Sequence, residues 1–225
     1  MTTAPGSRRE LSPVGPLAQL RGGRLARRLG QLLVGLVLYG VSMALVIRSG
    51  LGLFPWDVLH YGLARHWPLT FGQTVVVVSF VVLLAWLPLR QAPGLGTVLN
   101  ALVIGLVVDR ALTVLDRPPL LTGRIGLLVA GVLLNGLATA LYIGSQLGPG
   151  PRDGLMTGLA RRTGRSLRLV RTSLEVGVVV IGWLLGGVFG IGTVLYAVAI
   201  GPLVQLLLPP CIVVLREEAP RRPRK

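Results

Sequence analysis

Reactive and acidic side chains are scarce in this chain. Among 225 residues there is one cysteine, Cys211, one lysine, Lys225, two histidines and eight Asp+Glu. A single cysteine excludes a disulfide framework and a Cys/His metal cluster. His60 and His66 lie six apart, about 240° around a helix, so they do not share a metal and read as separate interfacial histidines. There is no Gly-x-Ser-x-Gly and no His-Glu-x-x-His, so no catalytic residue, cofactor site or metal is assigned and the reading is non-enzymatic. Charged residues are 14% of the chain, against about a quarter in soluble domains. The apolar share of 52% excludes disorder, and the 31 glycines follow no Gly-X-Y period, which excludes collagen.

What the chain has instead is long apolar runs. A membrane helix needs about 20 mainly apolar residues to cross roughly 30 Å of hydrocarbon. Six segments qualify: Leu29–Ile47, Gln73–Leu89, Leu95–Leu115, Ile125–Ile143, Val170–Leu185 and Ile191–Leu208. Arg168, Arg171 and Glu175 crowd the start of the fifth, and the apolar stretch after Pro209-Pro210 extends the sixth toward Leu215. With the N-terminus in the cytoplasm, 18 of the 23 basic residues fall inside. Arg48, Arg65, Arg110, Arg117 and Arg124 fall outside. That bias predicts both termini in the cytoplasm. It also accounts for the net charge of +15 without nucleic acid, for which no groove-reading or aromatic-interleaved motif is present.

Shifting the chain by 96 residues lays it on itself. Leu51-Gly52, Pro55, Asp57, Leu59 and Gly62-Leu63-Ala64-Arg65 align with Leu147-Gly148, Pro151, Asp153, Leu155 and Gly158-Leu159-Ala160-Arg161. The same shift, without a gap, aligns Gly94, Gly96-Thr97-Val98-Leu99 and Ile104-Gly105 with Gly190, Gly192-Thr193-Val194-Leu195 and Ile200-Gly201. Leu/Val coincidences would not keep Gly, Pro, Asp and Thr in register, so this is a repeat. Three spans per repeat reverse the orientation of the second, as in the inverted repeats of many secondary transporters. The expected fold is all-α integral membrane: six transmembrane helices as two inverted three-helix repeats, residues 29–115 and 116–208. Basic cytoplasmic tails of residues 1–28 and 209–225 flank them.

Each repeat carries a Gly/Pro-broken segment after its first span, Gly50–Arg65 and Gly148–Arg161. About ten apolar residues follow the break. That is too short to span, so the reading is a re-entrant or interfacial helix. Asp57 and Asp153 stand where N-caps would accept from free N–H groups. Gly154 and Gly158 give that helix a smooth face. Gly148-Pro149-Gly150 is not a phosphate loop, because it follows no strand and lacks the Lys-Ser/Thr ending. Paired broken segments of this kind point to a binding site, with Pro55, Asp57, Gly148, Gly150, Pro151 and Asp153 as candidates.

Ionisable groups within spans add Glu175, one turn from Arg171, and Asp109, whose repeat equivalent is Gln205. Asn100 is the uncharged candidate. Thr97, Asn135, Thr193, Tyr39, Tyr142 and Tyr196 supply further hydrogen-bonding groups, read as interhelical. Gly182-x₃-Gly186-x₃-Gly190 reads as a helix-packing stripe, within or between subunits.

Pro55–His60, Gly94–Ala101, Gly148–Leu159 and Gly192–Ala197 together resemble the YczE/YyaS/YitT family of bacterial multi-pass membrane proteins, most closely its YczE-like branch. The resemblance runs from about Leu29 to Leu208 and implies an integral protein of the bacterial cytoplasmic membrane; it implies no reaction. The expected function is a transporter or channel-like permease for a small solute, an anion being one reading. The alternative is a non-transporting membrane partner that supports assembly or maturation of another factor. The expected partners are the lipid bilayer, a solute, and a second copy or another membrane protein.

Overall fold

The computed structural model describes Leu11 and residues 15–215, and the tail arginines and lysine expected before and after these lie outside the described residues. Among the described residues the chain is helical throughout, with ten helices and no strand. They are α1 (Pro16–Arg21), α2 (Leu25–Ser49), α3 (Pro55–Ala64), α4 (Phe71–Leu84), α5 (Trp86–Leu89), α6 (Leu95–Val114), α7 (Leu121–Gly144), α8 (Pro151–Thr163), α9 (Leu167–Leu184) and α10 (Ile191–Cys211). Five stretches are long and apolar enough to cross a membrane: α2, α4 with α5, α6, α7 and α10. The expected fifth span, α9, is a continuous helix of 18 residues, but Arg168, Arg171 and Glu175 set it apart from these five.

Local chemistry explains the boundaries. Gly50 closes α2 at φ 60°, a left-handed position that glycine takes without a side-chain clash. Thr70 opens α4 with a capping box: its hydroxyl accepts from Gln73 N–H, and the Gln73 side chain accepts from Thr70 N–H. Ser166, 96 residues later, caps α9 by accepting from Leu169 N–H, without the reciprocal bond. Pro55 and Pro151 take the first helical position of α3 and α8, where a missing N–H costs nothing. The helices α2, α3, α4 and α6 begin at 25, 55, 71 and 95. Their counterparts α7, α8, α9 and α10 each begin 96 residues later.

Contacts between the halves are reciprocal. Arg28, early in α2, donates to the Ser145 and Gln146 carbonyls just past the end of α7, at 2.8 and 2.6 Å. Arg124, early in α7, donates to the Ser49 and Gly50 carbonyls closing α2, at 2.7 and 2.8 Å. Each cation satisfies carbonyls that the other helix's last turn leaves free, which fixes the pair antiparallel. Along that seam, a Cβ on Gly35 would meet Tyr142 N at 2.9 Å, and one on Gly131 would meet Ser42 O at 3.1 Å. Beyond it, Gly96 N–H donates to Leu147 O and Gly192 N–H to Leu51 O, at 2.8 and 2.9 Å. Lipid is as apolar as leucine, so close backbone approach and hydrogen bonds, rather than apolar burial, hold such a pair.

The main core lies around this seam, with Leu32, Leu36 and Met43 of α2, Ile104 and Val108 of α6, and Tyr142 of α7 buried. A second cluster joins the short helices to the outer ones through Trp56, Val78, Val82, Met156 and Val178. The helix α4 packs along α6, while α9 packs on α3 and α8 and forms no comparable seam with α10. The expected glycine stripe is divided among three jobs. Because α9 stops at Leu184, only Gly182 lies in the helix, against Val58 and Leu59 of α3. Gly186 turns the chain at φ 86°, and Gly190 sits against Leu51 and Gly52. Gly154 and Gly158 do form a packing face, against Trp86 and against Leu89 and Gln91. The helix α10 passes through Pro209-Pro210 to Cys211, after which Val213 pairs with Gly144 and Gln146 at the end of α7.

Candidate functional site

Both short helices start in the middle of the bundle and point their first turns at one cavity of about 230 Å³. Phe54 and Pro55 come to it from α3; Gly150, Arg152, Asp153 and Met156 come from α8. The long helices contribute Tyr39, Asn100, Thr139, Tyr142 and Tyr196, and α9 contributes Arg171 and Glu175. The N-terminal ends of two helix dipoles give this space a positive edge.

Arg152 is the organising group. Its guanidinium donates to the Tyr39 hydroxyl at 2.9 Å and lies 5.7 and 5.8 Å from the ring centres of Tyr39 and Trp56. Cation–π contact holds the charge while hydrogen-bonding positions remain available. Among the described residues the arginine–carboxylate ion pair is Arg171 with Glu175, and Arg152 forms none. The Tyr142 hydroxyl donates to Asp153, and the Tyr196 hydroxyl donates to Asn135 Oδ1 at 3.0 Å. Asn135 in turn donates to the Ser42 hydroxyl at 2.8 Å. The Trp56 indole N–H is buried without a partner, as is the Thr139 hydroxyl; both residues line the cavity.

The sequence candidates divide three ways. Asp153, Glu175, Asn100, Pro55 and Gly150 line the cavity, and Glu175 accepts from Arg171 Nε at 2.8 Å. Asp57 and Pro151 are buried behind it. The Pro151 carbonyl accepts from the Trp86 indole at 3.0 Å. Asp57 accepts from His60 Nδ1 at 3.1 Å, with both side chains nearly inaccessible. Burial, outweighing the Asp57 bond, holds the His60 imidazole below its ordinary pKa, which favours a neutral ring at neutral pH. His60 is therefore a core residue rather than an interfacial one; His66 is exposed, with its ring nitrogen 3.1 Å from Leu185 O. Gly148 and Asp109 stand apart from the cavity. Gly148 packs against Thr97 and Gly94, and Asp109 accepts from the Thr70 hydroxyl and from Gly72 N–H at 2.7 Å.

Neither Asp57 nor Asp153 is an N-cap. Because proline starts each helix, the caps are Phe54 and Gly150, and the aspartates lie at the third helical position. The cavity residue that sequence reasoning did not single out is Arg152, counted only among the orienting cytoplasmic charges. Its signal was present: the repeat equivalent of Arg152 is Trp56, an aromatic at a buried position.

Residues 26–209 match a family of unknown function, DUF6198. An uncharacterized protein of Haemophilus influenzae is 44% identical over 177 residues, covering 79% of this chain and 81% of its own length. The uncharacterized membrane protein YczE of Bacillus subtilis is 34% identical over 190 residues, 84% of this chain and 88% of that one. Bacillus subtilis YyaS is 29% identical over 180 residues, 78% and 90% of the two chains. No solved structure matches. With five helices apolar and long enough to span, the chain is a membrane protein in contact with the bilayer, and it belongs to DUF6198, the YczE-like family.

Proposed function

We propose that the chain is a permease of the bacterial cytoplasmic membrane, built as an inverted repeat of two three-span halves with both termini inside. It carries a small solute bearing a carboxylate or similar anionic group. The observation that carries the reading is the cavity where the first turns of α3 and α8 meet beside Arg152, a cation without an ion-pair partner. Broken helices whose N-termini face a central site are how inverted-repeat transporters hold anionic groups. The lining is not purely cationic: Arg152 and Arg171 stand with Asp153 and Glu175, so a solute that also carries a positive group fits the balance. In support of six spans, α9 places Arg171 and Glu175 on the cavity as a bonded pair, the way charge is accommodated within a membrane. The repeat is supported by the reciprocal Arg28 and Arg124 contacts.

Purified protein in lipid vesicles, challenged with labelled monocarboxylates and zwitterionic amino acids, should give flux above empty vesicles. Arg152→Ala should remove at least nine-tenths of it while the protein stays monodisperse. No flux for any solute class sinks the permease reading, and a stoichiometric protein partner recovered with the inactive chain would support the assembly role instead. Cysteines at positions 65 and 161 that label from the same side of the membrane would refute the inversion.

A further inference from the structure

A second, collapsed space lies beside the central cavity. It measures about 10 Å³, room for about one water, and is lined by Trp56, His60, Val75, Ser79, Asn100 and Ile104, with Pro151 and Arg152 closing it. Moved by 96 residues, these six become Arg152, Met156, Arg171, Glu175, Tyr196 and Ile200, all of which line the open cavity; Val78 and Val82 also line the small space, and their counterparts Leu174 and Val178 lie outside the open one. Pro151 and Arg152 likewise exchange with Pro55 and Trp56. The two spaces are therefore the same site built twice, once open and once shut. Trp56, Arg152 and Asn100 face both.

The difference lies in two helix pairs. On the shut side α4 and α6 cross at Gly72 and Gly105, where a Cβ on Gly105 would lie 2.5 Å from Gly72 O. Asp109 of α6 locks the crossing by accepting from Thr70 and Gly72 at the start of α4. On the open side the equivalent positions are Arg168 and Gly201. Gly201 has nothing within 4 Å of an added Cβ, and Gln205, in the place of Asp109, lines the open cavity.

We infer that these pairs, α4–α6 and α9–α10, are two gates on one site, and that the chain reaches its other state by exchanging their conformations. Then α9 closes on α10 while α4 leaves α6, and Arg152 and Trp56 form the wall between the two cavities. This deepens the permease reading and rests on it, since two gates serve alternating access. On the charge bias, the α9–α10 gate is the cytoplasmic one.

The test needs no solute. In full-length chain in membrane vesicles, with Cys211→Ser, single reporters Ser79→Cys and Glu175→Cys occupy equivalent places in the two cavities. A small methanethiosulfonate should label Glu175→Cys fast and Ser79→Cys slowly. Linking Ser166→Cys to Gln205→Cys with a short bifunctional reagent should reverse the order, each rate moving at least tenfold. Linking Thr70→Cys to Asp109→Cys should keep the original order. If the 166–205 pair never links, or links without reversal, the inference is overturned. Should those cysteines prevent folding, Asp109→Ala alone decides: a several-fold rise in Ser79→Cys labelling supports the gate, and an unchanged rate overturns it. Reversal without flux of any solute would keep the gates and refute the permease; flux without reversal would do the opposite.

Discussion

The α2–α7 seam and the two outer walls have diverged to different degrees. In the seam, two pairs of positions keep their partners: Arg28 and Arg124 bind the same two carbonyls of opposite helices, and Gly35 and Gly131 meet the same turns. In the walls, glycine has become arginine (Gly72 and Arg168), aspartate has become glutamine (Asp109 and Gln205), and valine has become arginine (Val75 and Arg171). These seam positions are held because each either satisfies carbonyls at a helix end or allows a close backbone approach, which a change on either side would leave unmet. The walls are under no such constraint. The symmetric region is where backbones pack most closely, and the asymmetric region is where charged and polar residues have been exchanged.

The largest effect should come from filling the seam. Gly35→Leu would press against Tyr142 N and Ala138 O, which are backbone atoms and cannot rotate away. A cost of about 3 kcal/mol is expected, read as loss of most of the monodisperse protein in detergent. A variant as stable as the parent would show that close packing does not hold the seam. Next come the reciprocal cations. Arg28→Ala and Arg124→Ala should each cost about 2 kcal/mol, for lost charge-assisted bonds to helix-end carbonyls. Thermal melts of the two variants should nearly coincide; a large gap would show that the symmetry is geometric and not energetic.

Smallest, and most telling for the walls, is one substitution made at two equivalent sites. Gly105→Ala meets Gly72 O and Val76 and should destabilise by about 1–2 kcal/mol. Gly201→Ala meets nothing within 4 Å and should be neutral or stabilise α10 by up to about 1 kcal/mol. Equal effects, measured by denaturant or heat, would mean that both walls are shut in the membrane.

Much of the architecture was legible in the residues. Apolar runs located the long helices to within a few residues, and the 96-residue register in Gly, Pro, Asp and Thr is the spacing at which four helices of the second half begin. The pairing of Arg171 with Glu175 followed from spacing alone. Local chemistry was less transparent. Proline at Pro55 and Pro151 begins a helix two residues before the aspartates, so they fall inside the first turn and aim at different partners, His60 and Tyr142. Gly182, Gly186 and Gly190 keep helical spacing although the helix has ended at Leu184. Arg152 counted among the orienting charges because a charge tally carries no direction.

The amino-acid sequence by itself determined that this chain lies in a bilayer and that its Gly, Pro, Asp and Thr recur in register 96 residues apart, because hydrophobic length and repeated composition are properties of the linear order. Only the tertiary structure decided which of two spaces related by 96 residues is open and which is closed. That choice rests on whether a Cβ, a guanidinium or a carboxylate occupies the point where two helices cross, and a crossing point exists only once the chain has folded.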